Sequence, residues 1–266
     1  MILQYNCMMN ENCTIFRPLL LTLLFVVVSM AGRAQSHFQL GLGTTHILDT
    51  YLSQEKFHGV GLSLLTTHER RRDSLLWGPS WQHQLHLSTA KDRAGNSSLV
   101  EAMYKFYYGR YRRFTLSGPL ELQVGAVATA GLGIIYDTRN GNNPVQARVG
   151  LHLMPSAKAV CRFRLFRHAA RLRYQLDVPL CGVVFSPNYG QSYYELFTLG
   201  NYDHNIVPTT FVSAPTFRQQ IALLYTVSPK FTFSIGYLGD YQQQRVNNLK
   251  QHVYDHAVMI GLAKNM

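Results

Sequence analysis

The stretch Gln146–Leu165, QARVGLHLMPSAKAVCRFRL, decides the fold. Its even positions are Gln146, Arg148, Gly150, His152, Met154, Ser156, Lys158, Val160, Arg162 and Arg164. Its odd positions are Ala147, Val149, Leu151, Leu153, Pro155, Ala157, Ala159, Cys161, Phe163 and Leu165. Side chains alternate across a strand, so one face of this segment is polar and basic and the other almost wholly apolar. The next segment repeats the pattern: Arg171, Arg173, Gln175 and Asp177 oppose Ala170, Leu172, Tyr174, Leu176 and Val178. Trp81–Ser88 and Phe231–Leu238 do the same.

A soluble sandwich also alternates, with its apolar face inward. Two features favour the inverse arrangement, apolar outside and polar inside. The strands run about twelve to twenty residues, where about five or six is usual. Aromatics also gather near strand ends, as in Tyr104, Phe106, Tyr107, Tyr108, Tyr111 and Phe114. Strands of a membrane barrel need roughly 9–11 residues in lipid and carry aromatic girdles. The expected fold is therefore all-β, an antiparallel up-and-down transmembrane β-barrel. Lipid cannot hydrogen-bond an open sheet edge, so the sheet must close.

Ten spanning strands are expected near 37–47, 57–69, 78–90, 99–113, 119–136, 146–165, 169–184, 217–227, 231–241 and 252–263. Connections after the even strands are short, around Arg70–Leu76, Phe114–Gly118, Phe166–His168 and Ser228–Lys230. Those after the odd strands, 48–56, 91–98, 137–145, 185–216 and 242–251, are longer or richer in Gly, Asn and Asp. Bacterial barrels have even strand number, short periplasmic turns and long outer loops. Residues 185–216 are accordingly placed in one long outer loop with room for its own hairpin, folding inward as a lid or plug.

The apolar run Leu19–Met30 is followed by Ala31-Gly32-Arg33-Ala34-Gln35-Ser36. It is too short to span a bilayer as a helix, and small residues precede Ala34. Residues 1–34 therefore read as a signal peptide cut near Ala34, and 35–266 as the barrel domain, located in the outer membrane. The leader carries Arg17, Arg33 and Glu11, so the net charge of +11 becomes +10 without it. A basic envelope protein suits outer-membrane lipid and lipopolysaccharide phosphates; nucleic acid is excluded by location and by the lack of any such motif. A monomer is expected. Cys7 and Cys13 belong to the leader. Strand parity puts Cys161 toward lipid and Cys181 toward the lumen, predicting two free, buried thiols.

A ten-stranded barrel is narrow, so its polar lumen should be filled by side chains. Gln84, His86, Glu101, Lys105, Glu121, Gln123, His152 and Asp255 are expected inside. So is a charge network of Arg148, Arg162, Arg164, Arg171, Arg173 and Asp177, with Asp177 the evident local counter-charge. Its first reading is an internal salt-bridge network; its second is an anion site open to the periplasm. The outer loops supply candidate ligand contacts: Asp137, Arg139, Asn140, Asn142 and Asn143; Tyr189, Gln191, Tyr193, Tyr194 and Glu195; Asn247 and Asn248. Asn, Gly and Pro also form ordinary turns, but Tyr with Asn suits carbohydrate or polar head groups.

Eleven His make chance pairings easy, and no G-x-S-x-G, H-E-x-x-H or Cys/His metal spacing is present. Neither a catalytic residue, a metal nor a cofactor is therefore assigned. Three stretches, Arg139–Ala147, Ser186–Phe197 and Val246–Lys250, together with Arg173-Tyr174-Gln175-Leu176 and Pro179-Leu180, resemble an uncharacterised family of exported Bacteroidetes proteins (domain of unknown function 3316). That resemblance spans 37–263, implies an exported envelope protein and supplies no catalytic residue. The sequence thus predicts a plugged barrel whose outer loops bind or gate a polar or anionic ligand without covalent chemistry. The alternatives are an outer-membrane enzyme acting on lipid or lipopolysaccharide, and a soluble exported β-sandwich or lipocalin-like binder.

Overall fold

The computed structural model describes residues 35–70, 77–229 and 231–264. The expected signal peptide and most of the expected turn around Arg70–Leu76 lie outside the described residues. The chain forms β1 (Gln35–Asp49), β2 (Phe57–Glu69), β3 (Trp77–Lys91), β4 (Ser98–Ser117), β5 (Leu120–Asp137), β6 (Val145–Leu165), β7 (His168–Asp177) and β8 (Cys181–Phe185). A one-turn helix α1 (Tyr193–Phe197) follows, then β9 (Ile206–Thr210), β10 (Phe217–Thr226), β11 (Phe231–Val246) and β12 (Leu249–Lys264).

Ten staves close into a ring, all antiparallel: β1 to β7 in sequence, then β10, β11 and β12, which pairs back onto β1. The sheet therefore has no open edge around its girth, the condition for lying in lipid. The predicted polarity holds. Leu42, Leu132, Leu151, Val258 and Ile260 stand exposed on the outer surface, as do Phe163, Leu172 and Phe233. Inside, Arg218 and Lys158 are 1% exposed and Asp177 is fully buried. A soluble sandwich would show the reverse, so the fold is a transmembrane β-barrel. Among the described residues no helix is long and apolar enough to cross a membrane; the strands do the crossing.

Three local features depart from the expected register. The stave opposite the middle of β6 is broken: Ser156 pairs with Asp177, but Leu153 pairs with Cys181. Two residues of β6 thus face three, Val178, Pro179 and Leu180. Pro179 has no N–H to give to the ladder, and a bulge forms there. A one-residue slip turns every later side chain to the other face. Cys181 therefore points outward, beside Leu151, Leu153 and Val183, and the expected lumen-facing thiol is corrected. Both cysteines are free, but neither is buried: Cys161 is half-buried and Cys181 exposed.

The expected single loop 185–216 is also corrected. Its ends are strand: β9 pairs with β8, extending one barrel hairpin beyond the ring. Residues 211–216 bulge out between β9 and β10. There Thr216 substitutes for ladder groups, its Oγ1 donating to the Gln243 carbonyl and accepting from the Gln243 N–H, both at 3.3 Å. Nor is 242–251 a loop. β11 and β12 stay paired to Val246–Leu249 and turn through Asn247 and Asn248 alone, at φ 51° and 61°. A two-residue turn with both φ positive matches the sheet twist, and Asn tolerates it.

Replacing Leu42 with Arg should put a charge on the lipid face. The expected loss is about 2–4 kcal/mol if Leu42 lies at the bilayer midplane, measured by denaturant-induced unfolding from lipid vesicles. Full stability in the variant would contradict the outward assignment.

Candidate functional site

The lumen is filled in tiers. Nearest the loop end sits an apolar layer of Ile47, Leu52, Phe57, Ala90, Leu99, Ile135 and Val253. Below it lies a buried polar network. Lys105 Nζ is 2.6 Å from Asp240 Oδ2, Arg148 Nη1 is 2.5 Å from Glu101 Oε1, and Arg218 Nη1 is 3.2 Å from Asp177 Oδ2. Arg218 also lies over the Tyr107 ring and Lys158 over the Tyr111 ring. A cavity of about 90 Å³ persists beside Lys105, Arg148, His152, Asp240 and Gln242. Buried charges of this kind are held because each has a partner within reach.

The turn end is basic. A smaller cavity of about 60 Å³ is lined by Arg113, Arg162, Arg171, Arg173, Glu69 and Glu121, among others. The sequence names Asp177 as the counter-charge of the arginine cluster, and this is corrected. Asp177 serves Arg218, while the cluster is met by carboxylates from other staves. Arg162 Nη2 lies 2.5 Å from Glu121, and Arg173 Nη1 lies 3.7 Å from Glu69, which Lys158 approaches to 2.7 Å. Arg164 is exposed at this rim. Lys158 is buried as its place on the polar even face of β6 requires, while Arg218, Asp240 and Glu69 were missed as lumen charges; extending the even-odd alternation through β10 and β11 would have found Arg218 and Asp240.

At the opposite end the three quoted loop stretches do converge, through hydrogen bonds to one another. Segment 186–205 forms a lid. Its α1 has a capping box: Ser192 Oγ accepts from the Glu195 N–H, and the Glu195 carboxylate accepts from the Ser192 N–H at 2.7 Å. This satisfies orphan donors at a helix start. The Gln191 amide oxygen accepts from the Asn188 N–H and from Asn205 Nδ2, and its Nε2 donates to the Asn201 carbonyl. Asn247 Nδ2 donates to the carbonyls of Ser186 and His204, both at 3.0 Å. Tyr193 Oη donates to Gln146 Oε1 at 2.9 Å and accepts from the Ala147 N–H. Tyr51, in the β1–β2 loop, donates to the Gln191 carbonyl at 3.0 Å and meets the Tyr193 ring edge-on. Burial pushes the Tyr51 hydroxyl up to about 12, with Asp49 and Glu195 adding to it. Burial likewise raises Tyr193. Both therefore remain protonated donors.

The other candidates divide. Asp137 is buried and accepts from Ser97 Oγ and the Arg139 N–H, each at 2.9 Å. Asn140 Oδ1 accepts from the N–H groups of Asn142 and Asn143, and its Nδ2 donates to the Leu52 carbonyl. Arg139, Asn142, Tyr189, Tyr194 and Asn248 are exposed, and Asn143 is half-buried. Gln191, Tyr193, Glu195 and Asn247 thus build or pin the lid, Asp137 and Asn140 frame the β5–β6 loop and tie it to Leu52 in the β1–β2 loop, and Arg139, Asn142, Tyr189, Tyr194 and Asn248 stay exposed at this end.

This geometry defines a transmembrane β-barrel with a filled lumen and a lid pinned over its loop end. The sequence matches, over residues 28–266, the family described as a protein of unknown function, DUF3316, and the chain belongs to that family. No curated protein matches it. Among solved structures it is similar to the outer membrane protease OmpT from Escherichia coli, at 8% identity and a TM-score of 0.43, covering 87% of this chain and 97% of that one. It is also similar to the translocator domain of the autotransporter NalP from Neisseria meningitidis, at 9% identity and a TM-score of 0.42, covering 95% and 96%. A third likeness is to Neisserial surface protein A, at 11% identity and a TM-score of 0.33, covering 87% and 97%.

Replacing Asn247 with Gly keeps the positive φ and removes the two lid bonds. The expected outcome is faster proteolysis within 186–205 with the barrel intact, seen as unchanged heat-modifiable migration of the uncleaved fraction. An unchanged cleavage rate would show that these bonds do not hold the lid.

Proposed function

We propose that this protein is an outer-membrane barrel that conducts no solute and uses the outward face of its lid to bind a polar, anionic glycan, such as the sugar and phosphate region of lipopolysaccharide, without covalent chemistry. The observation that carries the reading is the division of labour in 186–205. The amides and carboxylates of the lid are spent on its own frame, while Tyr189, Tyr194, Phe197 and Tyr202 are each more than 60% exposed. A rigid frame that displays aromatic rings is suited to recognition, because Tyr offers large contact area with few rotors and a polar tip. Exposed Arg139, Arg245 and Lys250 stand at the same end and supply positive charge for an anionic ligand. The filled lumen supports a closed state: ion pairs and hydrogen bonds cross it, and the cavities within it hold only a few waters.

Lipopolysaccharide or its soluble core oligosaccharide, titrated onto the detergent-solubilised protein, should bind in a salt-sensitive manner. Binding should fall at least tenfold in a Tyr189→Ser, Tyr202→Ser double variant that retains heat-modifiable migration. Equal binding by that variant would overturn the assignment of the lid face. Planar-bilayer recordings should show no steady conductance; stable channels from the unmodified protein would overturn the closed state.

A further inference from the structure

Three buried donors from separate staves meet in the lumen: His86 on β3, Glu101 on β4 and Asp255 on β12. They are 4%, 1% and 5% exposed. One donor atom of each lies within 4.8 Å of the others. His86 Nε2 is 3.3 Å from Asp255 Oδ1 and 4.0 Å from Glu101 Oε2. It is buried and makes no hydrogen bond. A buried ring nitrogen within ion-pair distance of two carboxylates, yet without a well-aligned hydrogen bond to either, needs an explanation. From these positions we propose a binding site for one divalent transition-metal cation, Zn²⁺ or Mn²⁺, with His86 Nε2, Glu101 and Asp255 as its protein ligands.

The surroundings prepare each ligand. Ser63 Oγ lies 2.8 Å from His86 Nδ1; accepting the Nδ1 proton leaves the Nε2 lone pair free for a metal, the usual role of a group behind a ligating histidine. Thr45 Oγ1 donates to Asp255 Oδ1 at 2.7 Å, and Ser88 Oγ donates to Glu101 Oε2 at 3.0 Å. Each ligand thus has an outer partner that fixes its direction. Two ligands about 2.1 Å from one tetrahedral ion stand about 3.4 Å apart. The His86–Asp255 separation already matches, and Glu101, 4.0 Å from His86 and within 4.8 Å of Asp255, must close toward both. Gly61 makes room for the ring: a Cβ there would fall 2.6 Å from His86 Cε1 and 2.9 Å from Nε2. Charge agrees as well. Two carboxylates face one local cation, Arg148, which bonds Glu101 from its other oxygen. One imidazole and two carboxylates suit a divalent ion of borderline hardness. Arg148 also borders the 90 Å³ cavity. With ligands on β3, β4 and β12, the ion would tie the neighbouring staves β3 and β4 to β12, which borders neither. The rival arrangement is a protonated His86 serving as the cation between the carboxylates.

The full chain, folded in detergent and stripped with a chelator, separates these. Given Zn²⁺ or Mn²⁺ and then desalted, it should retain about one ion per chain by elemental mass spectrometry. The temperature of its heat-modifiable shift should rise. Asp255→Asn and His86→Gln should lose the ion while still migrating as folded barrels, and Ser63→Ala should weaken retention by about 10–100-fold. If the unmodified chain retains neither metal and shows no thermal shift, the site is a protonated-histidine bridge and the proposal fails. It fails equally if both ligand variants retain metal as well as the unmodified chain does. Because unmodified protein alone gives a decisive reading, misfolding of a variant does not rescue it, and no result bears on ligand binding by the lid.

Discussion

Hydrocarbon offers no partner for a backbone N–H or C=O, and the rest of this molecule follows from that. The β5–β6 and β1–β12 pairings close the ring, so every spanning stave finds its bonds in a neighbour. Closure in lipid turns the usual arrangement inside out. Leucine and isoleucine need no burial against protein, because the acyl chains supply it. The polar residues take the interior, and there the low dielectric makes an unpaired charge costly. The lumen is therefore organised by pairing: Lys105 with Asp240, Arg218 with Asp177, Lys158 with Glu69. Lys105–Asp240 and Lys158–Glu69 join staves that are not adjacent, so the contacts that satisfy charge also brace the cylinder across its width, while Arg218–Asp177 ties the neighbouring staves β10 and β7.

The tiers of the lumen explain why the lid sits where it does. At the loop end the interior carries an apolar layer, with Ile47, Leu52, Phe57, Leu99, Ile135 and Val253 forming one cluster. Tyr51 packs against this cluster and touches Tyr193 of the lid. Left open, that layer would face water. Covering it stabilises the closed lid by the ordinary hydrophobic effect, on the order of 25 cal/mol per Å² of apolar surface removed. The hydrogen bonds of Asn247, Tyr193 and Tyr51 then choose one position for a cover that burial alone would leave free to slide.

Much of the architecture was legible from alternation. The even positions of β3 and β6 give the lumen face as far as Arg162, with Arg164 exposed at the rim instead of inside, and Glu101, Lys105, His86 and Asp255 lie inside as their parity requires. Parity failed where the chain changes register. Pro179 introduces one unpaired residue, and from there Cys181 faces lipid instead of lumen. Loop boundaries were misplaced for a related reason. Gln242–Val246 and Leu249–Gln251 are polar enough to read as loop, yet they pair because a barrel wall above the bilayer can be wet on both faces. Cross-lumen partners were the least accessible. A period-two pattern tells which way a side chain points, but not which staves stand beside or across from it. Asp177 thus looked like the counter-ion of its arginine neighbours, when it belongs to Arg218.

The candidate loop residues carry a further consequence. Side chains quoted from all three stretches, among them Asn140, Gln191, Glu195 and Asn247, spend their amides and carboxylates on turns, caps and lid staples. A motif of this kind specifies a scaffold. It would recur in relatives that share the lid, whatever each of them binds, because removing an internal staple loosens the frame itself. Ligand choice then has to reside in side chains that the frame holds up without using, and here those are mostly rings. Residues such as Tyr189, Tyr202 and Arg139 can change without disturbing the hydrogen-bonded framework beneath them. A family built this way can keep one closed barrel and one lid while altering the surface it shows, so what the sequence stretches share describes the lid's construction more directly than its target.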